Sequence, residues 1–380
     1  MPRSLLPRSG KKKTPKWPEL WQPVNPDLPV LPSRGHRPLQ MDFEQQLKAL
    51  VWFHLQEHDS GRYLLQDLEL DEFARNYIAP PEGIKKSAFF EAINTRGLEQ
   101  LVYVYERLQA RATQTLSAQH EALGDLVAID GSLINAVLSM AWADYRQGVK
   151  KVKVHLGFDL NHALPSKIFF TDGKGDERPF VSRILAPGQT GVLDRYYQCH
   201  RDFDQWQTDS LNFVCRIKAR TKKTVLEARE VAPGSPVFFD ALVLLGTRNQ
   251  NQTAQPVRLV GYRIGEAEYW VATNRHDLPA EEIALIYKLR WEIEKFFGWW
   301  KQHLQVYHRL ARSPYGFMVQ IMAGLITYLL LAIYCYKHYQ EPVSIHRVRE
   351  LRLQIQNDMA DPAVSSSHAP ENFELPFAKT

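Results

Sequence analysis

The chain has 380 residues, 44% of them hydrophobic and 23% charged, an ordinary globular composition that excludes a wholly disordered protein. Lys and Arg outnumber Asp and Glu by 47 to 42, and the resulting charge of +5 suits a polyanionic partner without identifying one. Cys199, Cys215 and Cys335 are too few and too scattered for a disulfide framework or a four-ligand zinc site, which favours a reducing, cytoplasmic setting.

Met1 to Lys16 carries Arg3, Arg8, Lys11, Lys12, Lys13 and Lys16 with no apolar stretch after them, so it does not read as a secretory signal. Such a run suits a solvated tail as well as contact with DNA phosphates. Prolines at positions 2, 7, 15, 18, 23, 26, 29, 32 and 38 oppose regular structure, so residues 1–40 read as a basic, Pro-rich, disordered arm and the first domain begins near Met41. From Phe43 to His120 apolar residues such as Leu47, Leu50, Val51 and Leu55 recur at helical spacing, with a turn at Pro80 to Gly83. Residues 41–120 therefore read as a small all-α domain, and position alone suggests that it binds DNA.

At Leu126 the period switches. Leu126 to Ile129 is a short apolar run ending at Asp130-Gly131, as a buried strand ends at a turn. Val149 to Phe158 alternates, Ser166 to Thr171 supplies Ile168-Phe169-Phe170, and Gly191 to Leu193 leads into Asp194. A helical stretch at His200 to Asp209 and a strand at Asn212 to Ile217 follow. Val237 to Thr273 is β-rich, with a hairpin of Val257–Ile264 and Tyr269–Thr273 about Gly265-Glu266-Ala267. A long helix then opens at Leu278-Pro279-Ala280, with Pro and acidic residues in its first turn. The fold class is thus α/β, preceded by the helical region. Gly316 to Tyr336 has no charged residue and nears membrane-span length, but Gln320, Gly324, Thr327 and three tyrosines interrupt it, so it reads as a buried core helix. Residues 341–380 read as a tail, partly helical and then disordered.

On a helix from about Ala280 to Leu304, Tyr287, Arg290, Glu294 and Lys301 fall within an arc of about 60°, while Leu289, Ile293, Phe296 and Trp300 take another side. A carboxylate flanked by two cations and a phenol suits a phosphodiester: Glu294 can bind a hard metal ion, Arg290 can grip a phosphate with two bonds and Lys301 adds a point charge. The same residues also suit a solvated stripe of ion pairs, which charges at this spacing usually form. Asp130 and Asp194, each at the end of an apolar strand, tip the balance toward a site, because open α/β sheets place binding residues there. Lys218, Arg220, Lys222 and Lys223 suit a solvated run as well as one that tracks a DNA backbone. Asp202, Asp204 and Asp209 read as solvent-facing or capping residues. Cys199-His200, His155 and His162 lack partners at metal-ligand spacing, and no glycine-rich nucleotide loop is present, so ATP dependence is not suggested.

Tyr287-x2-Arg290-x3-Glu294-x6-Lys301 resembles the YREK signature of the IS-four family of bacterial insertion-sequence DDE transposases, as do Ile129-Asp130-Gly131-Ser132 and Leu193-Asp194-Arg195-Tyr196-Tyr197. The family's second-Asp motif commonly has Gly where Tyr196 stands. The resemblance runs from about residue 120 to 340. It implies an RNase H-like catalytic domain over 121–340, interrupted by a β-rich insertion at about 220–275. It also implies two Mg2+ ions, with Mn2+ as a substitute, about 4 Å apart on Asp130, Asp194 and Glu294. The implied substrates are double-stranded DNA at terminal inverted repeats and at a target, handled by a dimer or higher assembly without membrane or ATP, in a bacterial cytoplasm at the nucleoid. Water frees 3′-hydroxyls at the element ends, which then attack target DNA. Some relatives hold a flipped base on an aromatic side chain, a role for which Trp291 is a candidate beside ordinary core packing. A metal-dependent endonuclease that never joins ends, and a retired transposase that only binds DNA, are the alternative readings.

Overall fold

A computed structural model describes residues 16–31, 39–136, 143–146, 149–303, 310–311 and 313–359. The basic cluster Arg3 to Lys13 and the tail beyond residue 359 lie outside the described residues.

Ten strands form one mixed sheet. They are β1 (Leu126–Asn135), β2 (Asp144–Arg146), β3 (Val149–Asp159), β4 (Leu164–Asp172), β5 (Thr190–Leu193), β6 (Asn212–Arg216), β7 (Lys223–Ala228), β8 (Val237–Leu245), β9 (Val257–Ile264) and β10 (Ala267–Thr273). The order is β2-β3-β1-β5-β6-β10-β9-β8-β7, with β4 also on β3. β1 runs antiparallel to β3 and parallel to β5, and β5 runs parallel to β6. The β-rich stretch after β6 adds an antiparallel meander to the same sheet through β10. The turn of its β9–β10 hairpin is Gly265-Glu266, where Gly265 takes φ 57°, a left-handed conformation that glycine adopts without steric cost.

Side-chain alternation sends each strand into two cores. Leu126, Ala128, Val192, Val214, Val260 and Val271 join the larger core, and Val127, Ile129, Leu193, Phe213, Cys215 and Leu259 the smaller one. The smaller core is covered by α6 (Val181–Ile184) and α7 (His200–Thr208), which supply Val181, Ile184, Phe203 and Trp206. Over the larger core lie α8 (Ala280–Leu289) and α9 (Trp291–His303), crossing the sheet from β9 toward β1.

The remaining helices are α1 (Lys16–Trp21), α2 (Phe43–Leu55), α3 (Gly61–Leu70), α4 (Lys86–Thr95), α5 (Leu98–Thr115), α10 (Pro314–Tyr339) and α11 (Ile345–Met359). Asp42 starts α2 with a reciprocal cap: its Oδ1 accepts from Gln45 N at 2.8 Å while Gln45 Oε1 accepts from Asp42 N at 3.0 Å. α10, the apolar helix of 26 residues, has Ser313 as its cap and Pro314 at its first position. It is apolar enough to cross a membrane, but its most apolar window is 94% buried, packed on α2, α4 and α5. The expected core helix is therefore what the sequence forms here.

Three expectations need correction. Residues 16–31 are not arm: Trp17 stacks on Trp21 at 5.8 Å and meets Trp52 edge-on at 5.7 Å, so two indoles and Leu20 bury this segment despite its prolines. The helices of residues 41–120 do not close a core of their own. They share the larger core with α10, and the Tyr105 hydroxyl on α5 fastens them to β4 through the carbonyls of Pro165 and Ser166 at 2.9 and 2.7 Å. Apolar spacing identified the helices but not the distant partner that completes them. The long helix expected from Ala280 to Leu304 is two helices, α8 and α9, meeting at Arg290, where Arg290 N bonds to Tyr287 O in a tightened turn. Leu304 lies outside the described residues.

Candidate active site

The backbone brings Asp130 and Asp194 side by side. The parallel register pairs Leu126 with Thr190, Val127 with Gly191 and Ala128 with Val192, and carried two residues further it sets Asp130 level with Asp194. Asp130 shares strand parity with Leu126 and Ala128, and Asp194 with Val192, so both carboxylates belong to the face covered by α8 and α9. Asp194 follows β5 as expected and its Oδ1 accepts from Tyr196 N at 2.7 Å, starting the turn Arg195–Tyr197. Asp130 does not end its strand: β1 continues to Asn135 because β3 pairs with it along the whole way. Only the parallel pairing to β5 stops near Asp130, which opens the strand edge beside the carboxylate.

Arg258 and Arg275 set the approach to α8. Arg258 forms a buried pair with Asp240 at 2.7 Å and donates to the carbonyls of Arg275 and Leu278 at 3.2 and 2.6 Å. Arg275 donates to Leu123 O and Thr190 Oγ1 at 3.0 and 2.8 Å, tying this lead-in to the starts of β1 and β5. Beyond it, Ile283, Ile286, Ile293, Phe296 and Trp300 bury the helices in the larger core. Tyr287 and Lys301 are consequently turned to the sheet, against Tyr269 and Ser132, while the Glu294 side chain is 33% exposed. Tyr287 is buried, with the Arg290 guanidinium 5.6 Å from its ring centroid. Arg290 pairs with Glu294 at 2.7 Å, and its buried Nε donates to no acceptor among the described residues. Lys301 reaches across to the Ser132 hydroxyl on β1. Trp291 is 57% exposed, so core packing does not account for it.

Burial pushes the Asp130 carboxyl up to about 7; Glu177 and Asp194 push in the same direction, against the Gly131 N–H and Arg290. Burial holds the Lys301 ammonium below the ordinary lysine range, with Asp130 opposing. Asp130, with Asp194 and Glu177 near it, offers oxygen donors and crowded negative charge, which suits a hard divalent cation. Asp130 and Asp194 fit that role. The third expected ligand is not gathered with them: among the described residues no group of three His, Cys, Asp or Glu side chains could enclose an ion, and Glu294 faces Arg290 instead.

Several neighbours went unread in the sequence. Glu177 accepts from the Tyr197 hydroxyl at 3.0 Å and pairs with Lys153 at 3.1 Å, close to Asp130. Arg216 stands beside Asp194 when the β5–β6 register is carried one residue on, its guanidinium 4.7 Å from the Tyr269 ring centroid. A lone Gly131 within a strand was the available signal, since such a glycine often marks a close approach. The loop holding Lys218 and Arg220 is clipped beside Asp194 by Gln198, which bonds Lys218 N at 2.9 Å and Thr221 Oγ1 at 3.0 Å. The remaining polar candidates are structural. His155 is buried against Phe180 at 4.1 Å, His162 pairs with Asp159 at 2.7 Å, and Asp204 accepts from Ala254 N and Gln255 N, each at 2.9 Å.

Residues 121–330, more than half of the chain, match the model of the family described as "Transposase DDE domain". The chain is 28% identical over 216 residues to a putative transposase of Sinorhizobium fredii, covering 54% of this chain and 59% of that protein. It is 29% identical over 197 residues to a probable transposase for an insertion sequence element of Geobacillus stearothermophilus, covering 50% and 52%. A putative insertion-sequence transposase of Synechocystis is 22% identical over 220 residues, covering 55% and 60%. These matches span between half and three-fifths of the relatives' length, and the family match over residues 121–330 takes in the sheet, Asp130, Asp194 and the α8–α9 pair.

Proposed function

The chain belongs to the transposase DDE domain family, and on that basis we propose that it is the DNA transposase of a bacterial insertion sequence, of the IS-four group whose YREK spacing it carries. Its core is read as RNase H-like, from the family match and the mixed sheet. The observation that carries the reading is that Asp130 and Asp194 stand level just beyond the paired ends of adjacent parallel strands, beside the helices that carry Tyr287, Arg290, Glu294 and Lys301.

Asp130 and Asp194, joined by Glu294 once it is released from Arg290, would hold the two Mg2+ ions, for which Mn2+ can substitute. When bound, these ions activate the attacking oxygen and stabilise the leaving one in an in-line displacement at phosphorus. Arg290 meets a DNA phosphate: its unsatisfied Nε supplies a donor, and a phosphate that takes the guanidinium frees the Glu294 carboxylate from its 2.7 Å ion pair. Lys301 brings a second cation to the same strand from beside Ser132. Tyr287 orients Arg290 from beneath. Exposed Trp291 is free to stack on an unpaired base. Lys218 and Arg220 track the backbone beside Asp194. The substrates are the element's terminal inverted repeats and a target duplex, joined by two copies of the chain on paired ends, in the cytoplasm at the nucleoid.

The test is magnesium-dependent cleavage of DNA carrying the element's own ends. Asp130→Asn, Asp194→Asn and Glu294→Gln should each abolish cleavage while end binding persists in a gel-shift assay, because each removes a charged ligand at nearly constant size. Wild-type cleavage by any one of the three would remove that residue from the site.

A further inference from the structure

Behind Asp130, on the face of the sheet away from α9, lies a buried polar junction that the reaction outlined above does not use. Glu177, in the loop between β4 and α6, is its centre, with its side chain 13% exposed and that of its partner Lys153 12% exposed. One carboxylate oxygen pairs with Lys153 Nζ from β3 at 3.1 Å, and the other accepts from the Tyr197 hydroxyl at 3.0 Å. Lys153 is itself held by Gly175 O at 2.9 Å. The carboxylate lies flat against Gly131, the residue after Asp130: a Cβ there would come within 2.4 Å of Glu177 Cδ. Tyr197 closes the turn that Asp194 begins and is fully buried in the smaller core. One side chain thus touches β1 next to the first Asp, β3 alongside it, and the turn that carries the second Asp.

Lys153, 12% exposed, and the buried Tyr197 hydroxyl each need a partner that solvent does not supply, and Glu177 serves both at once. Its placement makes sense as a brace. The parallel pairing of β1 and β5 stops before both aspartates, so no backbone bond sets their separation where it matters. Glu177 spans that gap through Gly131 on one side and Tyr197 on the other.

We propose that Glu177 is a positioning residue of the metal site: with Lys153 and Tyr197 it fixes the spacing of Asp130 and Asp194 from behind the sheet, and Gly131 is glycine to admit it. This rests on the reading that the two aspartates bind divalent metal. Outer-shell groups of this kind alter metal affinity by about 10- to 100-fold when removed.

The experiment is Mn2+ binding to the full-length protein without DNA, followed by electron paramagnetic resonance, with DNA-end affinity and thermal midpoint measured in parallel. Glu177→Gln should weaken Mn2+ about tenfold or more while DNA-end affinity stays at the wild-type value. Tyr197→Phe, which removes only the hydroxyl, should weaken Mn2+ in the same direction with the fold kept. Gly131→Ala should reproduce the Glu177→Gln loss by displacing the carboxylate, and adding Glu177→Ala to it should cost nothing more. Mn2+ affinity unchanged in Glu177→Gln and Tyr197→Phe would overturn the proposal, as would additive losses in Gly131→Ala/Glu177→Ala. A wild-type protein that binds no Mn2+ would overturn the metal-site reading itself, a result distinct from equal binding by all variants.

Discussion

Asp130→Asn should make the metal-free protein more stable at neutral and alkaline pH while destroying its response to metal. The Asp130 carboxyl is pushed up to about 7 by burial, with Glu177 and Asp194 adding to it. An unfolded chain releases that proton near 4, so between about 4 and 7 the folded state holds a proton that the unfolded state has lost. The raised value therefore contributes stability that is fully present below about 4 and disappears as pH rises through 7. The wild type is left with a half-buried, unfavourable charge at pH 8. The difference corresponds to at most about 4 kcal/mol, or an upward shift of at most about 5 °C for a chain of this length. Asn carries no charge at any pH. Thermal melts in EDTA should show Asp130→Asn melting above wild type at pH 8 and with it at pH 4, and added Mg2+ or Mn2+ should raise the midpoint of the wild type alone. Equal melting at pH 8, a lower midpoint for the variant, or a metal response in Asp130→Asn would refute the reasoning.

The other consequences are separable from this one. Asp240→Asn should cost about 3–5 kcal/mol in chemical denaturation, because it strands Arg258 in a buried position from which that residue holds the approach to α8; a loss below about 1 kcal/mol would show that the pair does not anchor the site. Leu329→Ala in the middle of α10 should cost about 2–5 kcal/mol in the same assay, as a fully buried leucine does. A helix inserted in lipid would instead leave the aqueous melting unaffected. Arg290→Ala should lower DNA-end affinity and reduce the slope of log affinity against log salt by about one, the signature of one lost phosphate contact. An unchanged slope would assign Arg290 to its ion pair with Glu294 alone.

Legibility in the sequence followed the range of the interactions. Period-two alternation in β3, the turn of the β9–β10 hairpin, and the apolar runs before Asp130 and Asp194 are local and were readable. The helical spacing of Tyr287, Arg290, Glu294 and Lys301 was readable too; Lys301 reaches Ser132 on β1, whereas Glu294 pairs with Arg290. The break at Arg290 was not, because neither Pro nor Gly marks it. The ordered Trp17–Trp21 segment was hidden by its prolines, since the indoles' partners Trp52 and Phe73 lie far along the chain. Glu177 sits in an aperiodic loop and becomes meaningful only once β1, β3 and the Asp194 turn are assembled around it. The pairing of Arg290 with Glu294 is likewise a choice among partners, which spacing permits but does not decide.

The central claim is that the paired aspartates and the α8–α9 face perform strand transfer, and the most direct measurement is joining itself. Wild type and Glu294→Gln would be incubated with Mg2+, labelled DNA carrying the element's flanking ends, and a supercoiled plasmid. The account predicts labelled ends covalently joined to plasmid by the wild type and no product from Glu294→Gln. Cleaved ends that are never joined would contradict it in favour of a nuclease, and end binding with neither cleavage nor joining would contradict it in favour of a protein that only binds DNA.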